Sequence, residues 1–110
     1  MTHAPQRDEV WLVTLDPKHG AEIKKTRPCL VVSPDEMNRH LQTIMVAPLT
    51  TTIRPYPTRV SLRFQGKSGQ IALDQLRSVD KQRLVKKLGT VSATVAQHSS
   101  EVLMEMFSRP

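Results

Sequence analysis

The sequence predicts a mainly β fold, a small and strongly curved antiparallel sheet closed into a barrel by one C-terminal helix. Three observations carry this prediction. Short runs rich in β-branched and aromatic residues recur at close spacing between residues 10 and 73. Pro17, Pro28, Pro34, Pro48, Pro55 and Pro57 punctuate the connections and discourage long helices in that half of the chain. A helical apolar stripe with a cap in front of it comes only at the end.

Taken in order, residues 1–8 read as a loose tail and residues 9–110 as one domain. The run Glu9 to Leu15 contains the first strand, Val10–Leu15. After a charged connection, Pro28–Val32 forms the second and Thr43–Pro48 the third. Thr58–Phe64 alternates cleanly, with Val60, Leu62 and Phe64 on one face and Arg59, Ser61 and Arg63 on the other, the pattern of a half-buried antiparallel strand. Gly69–Leu73 follows. Asp80 caps a short turn running to Leu84, and Leu88–Val91 reads as one more strand. Ser92 then caps a helix from Ala93 to about Phe107, whose Val95, Val102, Leu103 and Met106 make an apolar stripe. An SH3-like barrel fits this order best.

The 110 residues suffice for one domain with a single core. Sixteen Lys and Arg against 10 Asp and Glu leave a net charge of +6, which favours a polyanionic partner, nucleic acid before membrane. The lone Cys29 excludes an intrachain disulfide and, inside an apolar run, reads as a buried thiol. The opening residues show no apolar signal region and no run is long enough to span a bilayer, so the cytoplasm is the expected compartment.

Several chemistries drop out. His3, His19, His40 and His98 are scattered without zinc spacing, and there is neither a phosphate-cradling glycine loop nor a nucleophile elbow. No metal and no cofactor is expected. Trp11, Tyr56, Phe64 and Phe107 are too few for the multi-aromatic stacking sheet of an RNA-recognition motif, and Trp11 reads as core.

Glu22 and Arg27 remain in the first connection, with Thr50, Thr51 and Thr52 after the third strand and Asp74 and Gln75 after the fifth. Antiparallel order can bring these strand ends together. Cleavage of RNA by its own 2′-hydroxyl needs a proton acceptor and donors for the phosphorane charge. A guanidinium and a threonine hydroxyl suit the second role and a carboxylate the first. Blander readings stand beside these. Arg27 pairs with Glu22 or Asp74, the threonines only make a turn, Asp74 braces a strand end, and Lys24 and Lys25 are generic loop cations able to track a phosphate backbone.

Order and spacing add more. V-W-L-V-x-L-D-P at 10–17, G-x-E-x-x-x-x-R-P at 20–28, L-V-V-S-P at 30–34 with Asn38, V-x-P-L-T-T at 46–51, G-x-I-x-L-D-Q-L-R-S-V-D at 69–80, R-L at 83–84 and L-G-T-V at 88–91 together resemble the MazF/PemK/Kid toxins of bacterial type II toxin–antitoxin modules. The resemblance implies an SH3-like barrel shared with the CcdB toxins, a homodimer, and a metal-independent endoribonuclease. Such an enzyme cuts single-stranded RNA at a short sequence and leaves a 2′,3′-cyclic phosphate or 3′-phosphate and a 5′-hydroxyl. It also implies a cognate antitoxin with an acidic, partly disordered segment. Carried over by position, the catalytic residues are Arg27 and Thr50, with Glu22 and Asp74 beside them. Lys24, Lys25, Thr51, Arg54 and Gln75 are the expected RNA contacts.

The chain departs from the pattern in three places. Asp8 stands where the family usually has glycine before its first strand. Ala21 replaces a histidine of the Kid branch, and Ala72 replaces an arginine two residues before that branch's aspartate. A Kid-like His/Arg/Asp mechanism is thereby weakened and the Arg/Thr version survives. Two other readings compete: a CcdB-like toxin that binds DNA gyrase, and a nucleic-acid-binding regulator that never cuts.

Overall fold

A computed structural model describes residues 4–15 and 26–110. Seven strands form one curled antiparallel sheet: β1 (Glu9–Thr14), β2 (Thr26–Val31), β3 (Thr43–Thr50), β4 (Arg59–Phe64), β5 (Lys67–Ala72), β6 (Arg77–Asp80) and β7 (Leu84–Thr90). The path runs β4-β5-β3-β2-β1-β7, with β6 also paired to β3. Strand β3 is the hub. Its first half pairs with β6, its middle with β2, and its last two residues, Leu49 and Thr50, with Ile71 and Gln70 of β5. The C-terminal helix α2 (Ala93–Phe107) begins at Ser92, whose hydroxyl accepts the Val95 N–H at 3.2 Å.

Instead of a single core, the buried residues fall into two clusters, because the central strands are apolar on both faces. Leu30, Ala47 and Val10 join Val60, Ile71, Leu73 and Val91 in one, under Val95, Val102, Leu103 and Met106 of α2. Cys29, Val31, Ile44 and Val46 join Val13, Leu15 and Val79 in the other, where Trp11 packs only partly buried. Alternate residues of β2 thus serve opposite clusters, as the two-residue period requires. Burial pushes the Cys29 thiol up to about 12, against the opposing charges of Arg27 and Arg77, and so leaves it unreactive.

Other corrections are local. A short helix α1 (Asp35–His40) lies where no helix is expected. Two acids open it, two basic residues close it, and its buried Asn38 is fastened to Ser33 through both side-chain and backbone bonds. β5 starts two residues early, and Leu73–Gln75 turns as a one-turn 3₁₀ helix. β6 was not legible at all, and β7 begins at Leu84 rather than Leu88 because its exposed Val85, Lys86 and Lys87 hide the alternation.

Residues 4–8 are not loose. The Asp8 N–H donates to the Val31 carbonyl at 2.9 Å, and its own carbonyl accepts the Val91 N–H at 3.0 Å. Asp8 holds φ +78°, the left-handed region that favours glycine, the residue the resemblance leads one to expect there. Burial also raises its carboxyl pKa, with Arg7 opposing and Asp35 adding to the rise. A raised acid pKa means that stability is lost as pH climbs through it. Asp8→Gly removes both the carboxylate with the raised pKa and the left-handed strain, and should therefore stabilise the fold at neutral pH, less the entropy that glycine adds to the unfolded chain. The gain should shrink below the ordinary aspartate pKa of about 3.9, as paired urea titrations at the two pH values would show.

Candidate active site

The sequence candidates that lie among the described residues converge on one groove. Its first lobe, about 420 Å³, is lined by Arg27, Pro28, Leu49, Thr50, Thr51, Thr52, Leu62, Phe64, Lys67 and Gly69, among others. The second, about 460 Å³, is lined by Arg27, Thr50, Thr52, Arg54, Tyr56, Arg59, Asp74 and Gln75. Arg27, Thr50 and Thr52 belong to both lobes and so mark the middle. One end is apolar, the other polar and cationic.

Each central residue is positioned by its strand. Arg27 precedes Pro28 in β2, and the β1–β2 ladder sets it opposite Val13. Thr50 ends β3, opposite Gln70. Its Oγ1 accepts the Thr52 N–H at 3.0 Å. The threonine triplet is thus a side-chain-supported turn, and because Oγ1 acts there as acceptor, its hydroxyl proton is left to donate elsewhere. Gly69 lets β5 come close to this point, since a Cβ there would sit 2.5 Å from the Thr50 carbonyl oxygen.

Asp74 does not pair with Arg27. The Arg59 guanidinium grips it in a fork, Nε to Oδ1 at 2.8 Å and Nη2 to Oδ2 at 3.3 Å, and the Thr58 hydroxyl donates to Oδ1 at 3.0 Å. The hydrogen bond from Arg59, helped by that from Thr58, holds the Asp74 carboxyl below the usual range despite some desolvation. The ladder sets Arg59 opposite Ala72. The guanidinium that holds Asp74 therefore comes from the neighbouring strand β4.

Glu22, Lys24, Lys25 and His19 lie outside the described residues. Thr51 lines the apolar lobe, and Arg54 and Gln75 line the polar one. Sequence reasoning missed Arg59, Tyr56, Gln70 and Lys67. The alternation of 58–64 did put Arg59 on the open face, but only the ladder brings it to Asp74. Gln70 is 6% exposed and clasps the 51–58 loop. Its Oε1 accepts the Arg54 N–H at 3.0 Å and its Nε2 donates to the Arg54 carbonyl at 3.1 Å. Among the groove-lining residues, Arg27, Arg54 and Lys67 are cations beyond the Arg59–Asp74 pair, so the groove favours a polyanion.

A small curled antiparallel sheet with one terminal helix and a groove lined by Arg27, Thr50 and further cations defines a compact half-barrel suited to a polyanionic ligand. The chain belongs to the PemK-like, MazF-like toxins of type II toxin–antitoxin systems, whose family model matches residues 6–107. It is 34% identical over 108 residues to Endoribonuclease MazF9 of Mycobacterium tuberculosis, covering 89% of this chain and 92% of that one. A mycobacterial endoribonuclease solved in complex with its cognate antitoxin superposes with a TM-score of 0.79 at 26% identity, covering 97% of this chain and 100% of that one. A chain of a MazE–MazF complex from Deinococcus radiodurans gives 0.82 at 27% identity, with 96% of each covered. No helix among the described residues is long and apolar enough to cross a membrane.

Proposed function

We propose that this chain is an RNA-cutting toxin, an endoribonuclease acting on single-stranded RNA in the cytoplasm as a homodimer. The observation that supports the reading is that Arg27 and Thr50, from strands β2 and β3, both line the two lobes of a cationic groove. Arg27 binds the scissile phosphate and stabilises the charge that grows on its oxygens, and the Thr50 hydroxyl donates to the same group. Glu22 takes the proton of the attacking 2′-hydroxyl. The attack forms a 2′,3′-cyclic phosphate and expels a 5′-oxygen, which leaves as a hydroxyl once protonated. That route uses the substrate's own nucleophile and so requires neither metal nor activated water. A polyanionic groove ligand also suits an acidic antitoxin segment, which would block the site by occupying it.

Incubating the protein with a long single-stranded RNA in EDTA tests this reading. Discrete fragments with cyclic phosphate ends support it. Binding without cutting would favour a regulator, and neither binding nor cutting a gyrase-directed toxin.

Asp74, ionised and held by Arg59, serves the site as a brace rather than as the base. The hydrogen bonds that lower its pKa make its carboxylate a weak proton acceptor and already occupy both of its oxygens. Asp74→Asn should therefore leave the acid limb of the pH–rate profile in place while raising KM. Disappearance of that limb would make Asp74 the base.

A further inference from the structure

The polar lobe holds an aromatic ring that the cleavage chemistry does not use. Tyr56 is 47% exposed on the lobe's wall. The Arg59 guanidinium lies over its ring, 5.1 Å from the centroid, while the Arg59 side chain is only 6% exposed. One face of the ring is thus backed by a buried cation and the rest is open to the groove. The backbone that carries the ring is also braced. Pro55 and Pro57 flank Tyr56 and restrict the backbone. The Arg59 N–H closes the turn onto the Tyr56 carbonyl at 3.1 Å, Gln70 clasps Arg54 on both its N–H and C=O, and Asp74 anchors Arg59. An exposed aromatic on a braced backbone, backed by a guanidinium, loses less freedom on contacting a ligand than one on a free loop.

We propose that Tyr56 is a stacking platform for one nucleobase flanking the scissile phosphate, and that Arg59, Asp74 and Gln70 are its positioning residues. That the base belongs to a substrate rests on the proposed nuclease function; the stacking itself does not. A phosphate is drawn to the cations of the lobe but has no face to lay on a phenol ring. A nucleobase has one, and any base will serve, so the platform adds affinity without setting a sequence preference. The lobe, at about 460 Å³, falls within the usual range for small-ligand sites, about 300–1,000 Å³. Gln75, on the same wall, can meet a base edge there.

The test uses single-stranded DNA dodecamers, randomised around a central 2-aminopurine, which lack the 2′-hydroxyl and cannot be cut by it. Wild-type protein should quench the fluorophore and bind. Tyr56→Ala should bind about 5- to 150-fold more weakly, in line with stacking worth about 1–3 kcal/mol per base. Tyr56→Phe and Tyr56→Trp should stay within a few fold of wild type. The slope of log Kd against log salt should be the same for Tyr56→Ala as for wild type, because no phosphate contact is lost; a misfolded variant would not keep it. Arg59→Ala should weaken quenching as well as binding. Unchanged affinity in Tyr56→Ala, or weakening in Tyr56→Phe equal to that in Tyr56→Ala, overturns the platform. Failure to cut RNA, with quenching and its Tyr56 dependence intact, overturns the nuclease reading and leaves the platform standing.

Discussion

Arg27→Ala should slow RNA cleavage by about a hundred- to a thousandfold, the cost of removing one preorganised donor from a developing anion, about 2.7–4 kcal/mol. The loss should fall mainly on kcat, since the interaction strengthens as charge builds on the phosphate oxygens. Folding should survive. Arg27 stands at the start of β2 on the groove, only partly buried, and no carboxylate among the described residues forms an ion pair with it. Single-turnover cleavage of a mapped RNA, read beside a thermal melt, checks both halves. Arg27→Lys keeps the charge but not the planar fork, and should recover only a small part of the rate. Wild-type cleavage by Arg27→Ala would remove this residue from the mechanism.

Gly69→Ala should disable the enzyme without touching any chemical group. The added methyl would meet backbone, the Thr50 carbonyl oxygen at 2.5 Å, and backbone cannot swing aside as a flexible side chain does. Either β5 or the end of β3 must move. Overpacking of this kind costs about 1–3 kcal/mol of stability. The larger consequence is for Thr50, which the same shift carries off its mark. A displacement of about 1 Å can cost on the order of a hundredfold in rate. Cleavage measured well below the melting temperature should fall by far more than the unfolded fraction explains. A variant as active as the parent would show that Thr50 tolerates displacement, and would weaken its assignment as a donor.

Much of the fold was legible because the two-residue period is a local signal. Arg59–Phe64 could be read from its alternation alone, and α2 from its Ser92 cap and apolar stripe. What escaped had weak local signals. β6 is four residues long and β7 carries Val85 on its exposed side. α1 follows a proline and buries only Asn38. The candidate site was legible in part. Arg27, Thr50, Thr51, Arg54, Asp74 and Gln75 do line one groove. Glu22, Lys24 and Lys25 fall outside the described residues.

Sequence by itself determined the class of this protein: a short basic chain of alternating strands with one capped helix, with the R-P and P-L-T-T motifs standing where its family has them. The partnerships at the groove were decided only by tertiary structure. Arg59 meets Asp74 because the β4–β5 register sets Arg59 opposite Ala72, two residues before the acid. Gln70 holds Arg54 because β5 returns along β3 to face Thr50. Alternation shows which face a side chain takes. Who stands beside it depends on strand register and sheet curvature, and those are settled by burying residues far apart in the chain on both faces at once.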